Sequence, residues 1–175
     1  MERPKLKIEL EAIDKITELI GVVGLLLLVG LPTYFFGTLP DMIPSHYGAN
    51  GDPDAFKGGE TIWTLPIIGV IMYCGLFWLN KYPHLFNYPQ QITKENAERL
   101  YTVGTRMIRT INALVTWVFV YITYSTIQTT LGNQDGLGVW FTPLLMIMMF
   151  GTTMFFLYKS MREKPRPTNE SDNGL

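Results

Sequence analysis

The chain has 175 residues, of which 47% are hydrophobic and only 17% are charged, a charged fraction below that of typical soluble domains. Its net charge of −1, with no basic stripe interleaved with aromatic residues, argues against a nucleic-acid-binding protein. The single cysteine, Cys74, excludes an intramolecular disulfide, and its place in an apolar run predicts a buried thiol.

Residues 1–18 contain an amphipathic pattern. Five apolar residues recur at helical spacing with the charged residues opposite them: Ile8, Ala12, Ile13, Ile16 and Leu19. The pattern predicts a helix that lies in the membrane interface ahead of the first apolar run. Acidic residues in the same segment spoil the basic region of a signal peptide, so we expect the run that follows to be a membrane span.

Four long apolar runs follow, and none contains Asp, Glu, Lys, Arg or His. They cover residues 19–36, 62–79, 111–131 and 139–158. A helix of about 18 residues is ~27 Å long, close to the thickness of the hydrocarbon core of a bilayer. The runs therefore predict an all-α polytopic membrane protein with four transmembrane helices. The third run is the least apolar, since it contains Asn112, Gln128 and several threonines.

The distribution of basic residues predicts the orientation. If all four runs cross the membrane, 13 of the 14 lysines and arginines fall on one side, and only Lys57 falls on the other. By the positive-inside rule, both termini and the middle loop lie in the cytoplasm. The loop at residues 37–61 is then external, and we expect a multi-pass protein of the plasma (inner) membrane.

These patterns divide the chain into five parts. Residues 1–18 form the interfacial helix, residues 19–79 a two-span unit with the external loop, and residues 111–158 the third and fourth spans. Residues 80–110 form a cytoplasmic loop and a helix, which starts with Thr93 as N-cap and runs on into the third span. The polar, proline-rich residues 159–175 are predicted to be a disordered cytoplasmic tail.

The third run has a polar stripe at steps of four, three, four, three and four residues. Its members are Asn112, Thr116, Phe119, Thr123, Thr126 and Thr130. This spacing is typical of the contact seam between two helices, where small polar residues hydrogen-bond across the interface. A conduit is the alternative, but transporters usually place ionisable residues within their spans, and these runs contain none.

The external loop contains residues typical of turns. Pro40 and Pro44 are predicted to end the helix and hold the chain extended, whereas Asn50-Gly51 is a tight-turn signal that Pro53 extends. We therefore expect Pro40, Pro44, Gly51 and Pro53 to set the loop backbone. Turn formation alone is the simplest explanation of the loop.

The same loop carries four ionisable side chains that we predict to make polar contacts: Asp41, His46, Asp52 and Asp54. Alternating acids around Asp52 resemble a calcium loop, but Ala55 occupies the position that needs glycine. A zinc site and a Ser45–His46 nucleophile are weaker alternatives, since ligand spacing is loose and no third group is evident to orient His46. No catalytic, cofactor-binding or metal-binding residue is predicted.

Two motifs in the loop resemble a known family signature. They are Leu39-Pro40-x-x-Ile43-Pro44-x-His46 and Gly51-x-Pro53-Asp54. They are similar to the LP-x-x-IP-x-H-F-N-x-x-G-x-PD pattern of the domain of unknown function 1648, which lies between two spans. This bacterial integral-membrane domain also opens the SdpI-type toxin-immunity proteins. The similarity covers roughly residues 25–71, and residues 86–101 also resemble the segment that follows in small members.

The resulting functional prediction is a non-enzymatic bacterial membrane protein whose external loop is a binding or sensing element. Its partners would be the lipid bilayer and an envelope protein or peptide, with no nucleic acid and no cofactor. His46 would make such contacts sensitive to pH, because histidine changes its charge near neutral pH. The alternatives are an SdpI-type immunity or signalling protein, which the resemblance implies, a small transporter, and a metal-dependent envelope enzyme.

Overall fold

The computed structural model describes residues 3–162. The main elements are α1 (Ala12–Phe35), β1 (Met42–Tyr47), β2 (Pro53–Gly58), α2 (Thr64–Leu79), α3 (Ala97–Thr130) and α4 (Phe141–Arg162). Short 3₁₀ helices lie at Phe36–Thr38, Gly59–Trp63 and Pro83–Leu85. All but the first four residues of the predicted tail lie outside the described residues.

The four long helices confirm the predicted membrane architecture. Each is long and apolar enough to cross a bilayer, over Ala12–Thr38, Gly59–Leu79, Ala97–Thr130 and Phe141–Arg162 when the adjoining 3₁₀ turns are included. The third is the least apolar of the four, as its sequence indicates. One addition to the helical prediction is the antiparallel strand pair β1–β2, which lies between the first two spans.

Helix α3 is the central element of the bundle, because it packs against α1, α2 and α4. Its polar stripe lies inside the bundle, with Asn112, Thr116, Thr123 and Thr126 buried. Asn112 Nδ2 donates a hydrogen bond to the carbonyl of Tyr73 on α2, at 3.2 Å. The hydroxyls of Thr116 and Thr130 donate instead to carbonyls of α3 itself. The stripe therefore lies largely inside the bundle, and within residues 3–162 its hydrogen bond to another helix is that of Asn112.

Helix α1 approaches its neighbours closely at glycines. A Cβ at Gly69 of α2 would overlap the side chain of Leu28 on α1, and one at Gly24 would lie 3.0 Å from Trp117 Nε1 on α3. Trp117 Nε1 donates to the carbonyl of Ile20 on α1, also at 3.0 Å. Small residues therefore let the helices touch at backbone distance, as is usual within membranes.

The predicted interfacial helix in residues 1–18 is wrong. Residues 3–11 are not helical, and α1 begins only at Ala12 and continues directly into the first span. Tertiary hydrogen bonds override the amphipathic pattern: Arg3 Nη1 donates to the carbonyls of His84 and Phe86 at 3.0 and 2.7 Å. Tyr101 Oη donates to the carbonyl of Pro4 at 3.0 Å. These bonds hold the segment extended across the end of the bundle.

Within α1, the apolar residues of that pattern face outwards and an acidic residue faces the bundle. Ile13, Ile16 and Leu19 are exposed on the outside of α1, whereas Asp14 is buried against α3. A hydrocarbon surround makes this arrangement favourable, because the apolar side chains face lipid and the charged ones find partners inside the bundle.

Three further expectations need correction. Helix α3 starts at Ala97 with Asn96 as N-cap, one turn after Thr93, although it runs on into the third span as predicted. The Thr93 carbonyl instead accepts a hydrogen bond from the Ala97 amide at 3.0 Å, closing the turn before the helix. Helix α4 extends through residues 159–162 of the predicted tail. Cys74 is exposed on the outer face of α2, because its run is surrounded by lipid, not protein.

Candidate functional site

The loop at residues 37–61 folds as a β-hairpin that covers one end of the bundle. Its strands pair from Met42 opposite Gly58 to Tyr47 opposite Pro53, with a bulge at Ser45. At the base, the Gly59 amide donates to the carbonyl of Asp41 at 3.0 Å. The sequence predicts a turn-rich loop, and the paired strands give that loop a defined register.

The four residues expected to set the backbone occupy distinct places. Pro40 lies just before β1, Pro44 is buried within β1, and Pro53 opens β2. Gly51 lies at the tip with φ of 86°, a conformation that favours glycine. A Cβ on Gly51 would also collide with the backbone of Gly138 in the loop between α3 and α4.

Hydrogen bonds within residues 48–52 hold the tip. The Gly48 amide donates to the carbonyl of Asp52, and the Gly51 amide donates to the carbonyl of Gly48, both at 2.9 Å. Asn50 Nδ2 donates to the carboxylate of Asp52 at 2.5 Å. The predicted contact residue Asp52 therefore bonds within the turn, as expected of Asx side chains in turns.

Three contacts fix the hairpin to the bundle. Ile43 is buried with Ile62 and Ile127. Tyr47 Oη donates to Thr126 Oγ1 on α3 at 2.9 Å. Burial raises the pKa of the Tyr47 phenol, outweighing the opposite effect of the Thr126 hydrogen bond.

The third contact joins the tip to the neighbouring loop. The Leu137 amide donates to the carbonyl of Gly51 at 2.8 Å, and Leu137 is itself buried. Its loop connects α3 to α4, so the two connections at this end of the bundle meet at the hairpin tip. The hairpin is therefore held at its base, its inner face and its tip.

The hairpin also carries an exposed histidine–carboxylate pair. His46 Nδ1 lies 2.6 Å from Asp54 Oδ1, with the two side chains 71% and 53% exposed. Asp54 belongs to β2 and His46 to β1. His46 lies opposite Ala55, the register shifts on both sides of it, and its ring contacts the neighbouring Asp54. The structure thus brings together His46 and Asp54, two of the four predicted contact residues. The other two lie apart from them, Asp52 at the tip and Asp41 exposed at the base.

A cavity of about 410 Å³ lies between the inner face of the hairpin and the ends of α2, α3 and α4. Its lining mixes apolar side chains with hydroxyls and two basic groups, His46 and Lys57. Thr123 lines this cavity, is 1% exposed, and its Oγ1 has no hydrogen-bond partner among the described residues. The sequence pattern places Thr123 in the helix seam and gives no sign of a cavity.

The site chemistry is that of a small polar pair, not a metal cluster. Among residues 3–162, no group of three His, Cys, Asp or Glu side chains converges in a way that could hold an ion. Ser45 occupies the bulge, and the Nδ1 atom of the neighbouring His46 instead faces Asp54. The arrangement can donate and accept hydrogen bonds and can carry a charge on either group.

A second ionic cluster, which sequence analysis missed, lies at the other end of the bundle. Asp14 is buried and contacts two arginines of α3: Arg106 Nε at 3.0 Å and Arg109 Nη1 at 3.4 Å. Glu11 pairs with Arg106 at 2.7 Å, and Glu18 pairs with Arg109 at 2.8 Å. The spacing of three and four residues between the acids was a signal that they share one helix face.

Comparison with known proteins supports the resemblance of the hairpin region. Residues 23–70 match the model of a domain of unknown function (DUF1648), and this segment includes the second half of α1, the hairpin and the start of α2. An uncharacterised protein of Archaeoglobus fulgidus is 27% identical over 156 residues, covering 81% of this chain and 85% of that protein. No solved structure matches the chain. The similarity thus extends to an archaeal protein and supplies no activity.

Proposed function

We propose that this chain is a non-enzymatic protein of the plasma membrane whose hairpin recognises a peptide or protein of the cell envelope. Both termini are then cytoplasmic and the hairpin is external. The distribution of charge supports this orientation, because residues 3–11, the segment after α2 and the end of α4 share one end of the bundle. Arg3 contacts residues 84 and 86, and Gln90 Nε2 contacts the carbonyl of Ser160 at 2.8 Å.

The observation that carries the proposal is the exposed His46–Asp54 pair on a hairpin that is otherwise anchored. Hydrogen bonds to Tyr47 and Gly51, with the burial of Ile43, fix the backbone that presents the pair. A fixed surface loses little conformational freedom on binding, so its contacts translate more fully into affinity. A loop that only connects two spans does not need to be fixed by three separate contacts, as this hairpin is at Ile43, Tyr47 and Gly51.

The surroundings of the pair suit an extended peptide. Met42 and Phe56 are large apolar side chains exposed on the same hairpin, and clusters of apolar and polar groups are typical of interface centres. Strand β2 has an edge without a strand partner among residues 3–162. Such an edge can take an added strand from a partner peptide.

Exposure of the pair supports binding in preference to catalysis. Catalytic acids and bases usually lie in clefts where burial and neighbouring charges tune their protonation. His46 and Asp54 both face solvent over more than half of their side-chain surface. Polar contacts that must reach a partner, by contrast, need to be exposed in the free protein.

In-cell crosslinking tests the proposal. A photoreactive residue at Phe56 is expected to capture a defined envelope protein or peptide, and the His46→Ala/Asp54→Ala double variant should reduce that product by about tenfold, the effect of losing one interface hot spot. Glu60→Ala is the matched control, since Glu60 is an exposed acid just after β2 and is not one of the four predicted contact residues. An unchanged product in the correctly inserted double variant would make the hairpin a structural cap only.

A further inference from the structure

A cleft of about 470 Å³ opens at the end of the bundle opposite the hairpin. It lies between residues 3–11, the C-terminal end of α2 and the first half of α3, and it includes Lys7, Lys81, Arg109 and Glu18. The segment at residues 3–11 forms one wall because Arg3 and Pro4 are hydrogen-bonded to the bundle. The cleft therefore exists only because this segment is extended across the bundle end.

The cleft has an excess of positive charge. Three cationic side chains line it against the single carboxylate of Glu18, and that carboxylate already accepts a hydrogen bond from Arg109 Nε at 2.8 Å. Neither Lys7 nor Lys81 forms an ion pair within residues 3–162. Two ammonium groups thus remain available for an anion.

The walls of the cleft are apolar. Ile8, Leu10 and Phe77 line it together with Tyr82, and the Lys81 ammonium lies 5.0 Å from the centroid of the Phe77 ring. Tyr82 packs on Trp78 with ring centroids 4.9 Å apart. Tryptophan and tyrosine at the end of a span mark the depth of the lipid headgroups, so the cleft lies where headgroup and acyl chain meet.

We propose that this cleft is a binding site for an anionic phospholipid, with Lys7 and Lys81 on the headgroup phosphate and the start of an acyl chain against Phe77. Charge complementarity selects the anion, since each basic residue near a membrane surface strengthens binding to anionic lipid. The apolar walls select a lipid over free phosphate, which would gain nothing from them. This site is at the other end of the bundle from the hairpin and does not depend on the function proposed for it.

Native mass spectrometry of the full chain tests the site, with the protein first delipidated in detergent and then mixed with each lipid. Phosphatidylglycerol should be retained in preference to phosphatidylcholine. Lys7→Gln combined with Lys81→Gln should weaken that retention by about 25-fold, roughly fivefold for each lysine. Lys5→Gln combined with Lys94→Gln is the matched control, since both lysines lie in segments at the same end but outside the cleft. It should change retention by less than about twofold.

Two further arms separate charge, folding and ligand source. The Lys7→Arg/Lys81→Arg variant keeps both charges and should retain the lipid, which would show that substitution at these two positions does not by itself abolish binding. Inorganic phosphate in excess should not displace phosphatidylglycerol. Equal retention of the two lipids, equal loss in the control pair, or displacement by inorganic phosphate would each overturn the proposal.

Discussion

Arg106 and Asp14 join the third helix to the first at the basic end of the bundle. Arg106 Nε donates to Asp14 Oδ1 at 3.0 Å and Nη2 donates to Oδ2 at 3.3 Å, a bidentate geometry that fixes both direction and distance. Asp14 is only 3% exposed, so its charge is compensated by protein and not by water. The Asp14 carboxylate therefore connects α1 to α3 through Arg106 and Arg109, whereas the sequence pattern predicts that the charged face of this segment is solvated.

Replacing Asp14 should destabilise the bundle strongly. Asp14→Ala removes the partner that Arg106 and Arg109 share. The loss of one member of a buried ion pair typically costs about 3–5 kcal/mol, and we expect the lower end of that range because Glu11 and Glu18 still pair with the two arginines. We expect a clear drop in the free energy of unfolding, measured by denaturant titration of the protein in detergent. Glu9→Ala is the control, because Glu9 is exposed and precedes α1. Equal stability of the two variants would contradict the role of the cluster.

Substitution of Gly51 should release the hairpin tip from the loop between α3 and α4. Gly51→Ala places a Cβ at a positive φ and against the backbone of Gly138, at a cost of at least about 1 kcal/mol. The amide of Leu137 then loses its acceptor on Gly51. Limited proteolysis of the intact protein should cut the chain faster within residues 131–140.

Gly37→Ala is the control for that experiment, since Gly37 lies shortly before the hairpin and a Cβ there meets nothing within 4 Å. Its proteolysis should match that of the unaltered protein. Cleavage of Gly51→Ala at the unaltered rate would show that the tip contact contributes nothing to loop order.

Alkaline pH should weaken the contact between the hairpin and α3. Because burial raises the pKa of Tyr47 above its usual value of 10.0, the neutral phenol is favoured in the folded state. Its contribution to stability is therefore complete below pH 10 and is lost as the pH rises through the folded-state pKa. Tyrosinate absorbance of the unaltered protein minus that of Tyr47→Phe should show one phenol titrating above pH 10. Titration of that phenol at or below pH 10 would contradict its burial in the folded protein.

The membrane fold could be predicted from the sequence because charge-free runs of bilayer length have few other uses. The hairpin could be predicted from the sequence only in part. Asn50-Gly51 indicates a turn, but Pro44 and the bulge at Ser45 interrupt the alternation that reveals strands. The His46–Asp54 contact depends on the irregular strand register around His46, which no local pattern supplies.

The ionic cluster could not be predicted for a different reason. The acids of α1 and the arginines of α3 each have helical spacing, so each set could be assigned to one helix face. Which helices are neighbours is decided by tertiary packing, here by close approach at Gly24 and by the hydrogen bond from Trp117. The extended segment at residues 3–11 depends likewise on distant acceptors, the carbonyls of residues 84 and 86.

Labelling of single cysteines tests the proposed orientation. In a Cys74→Ser background, Lys57→Cys on the hairpin should react with a membrane-impermeant maleimide in intact cells, because the hairpin is proposed to be external. Lys94→Cys, in the turn before α3, should react only after permeabilisation, since positive-inside bias places its side in the cytoplasm. Both positions are exposed in the fold, so access through the membrane is the only difference expected between them. Labelling of both from outside would mean that α2 does not place the two loops on opposite sides of the membrane. The reverse pattern would invert the protein in the membrane and place the hairpin in the cytoplasm.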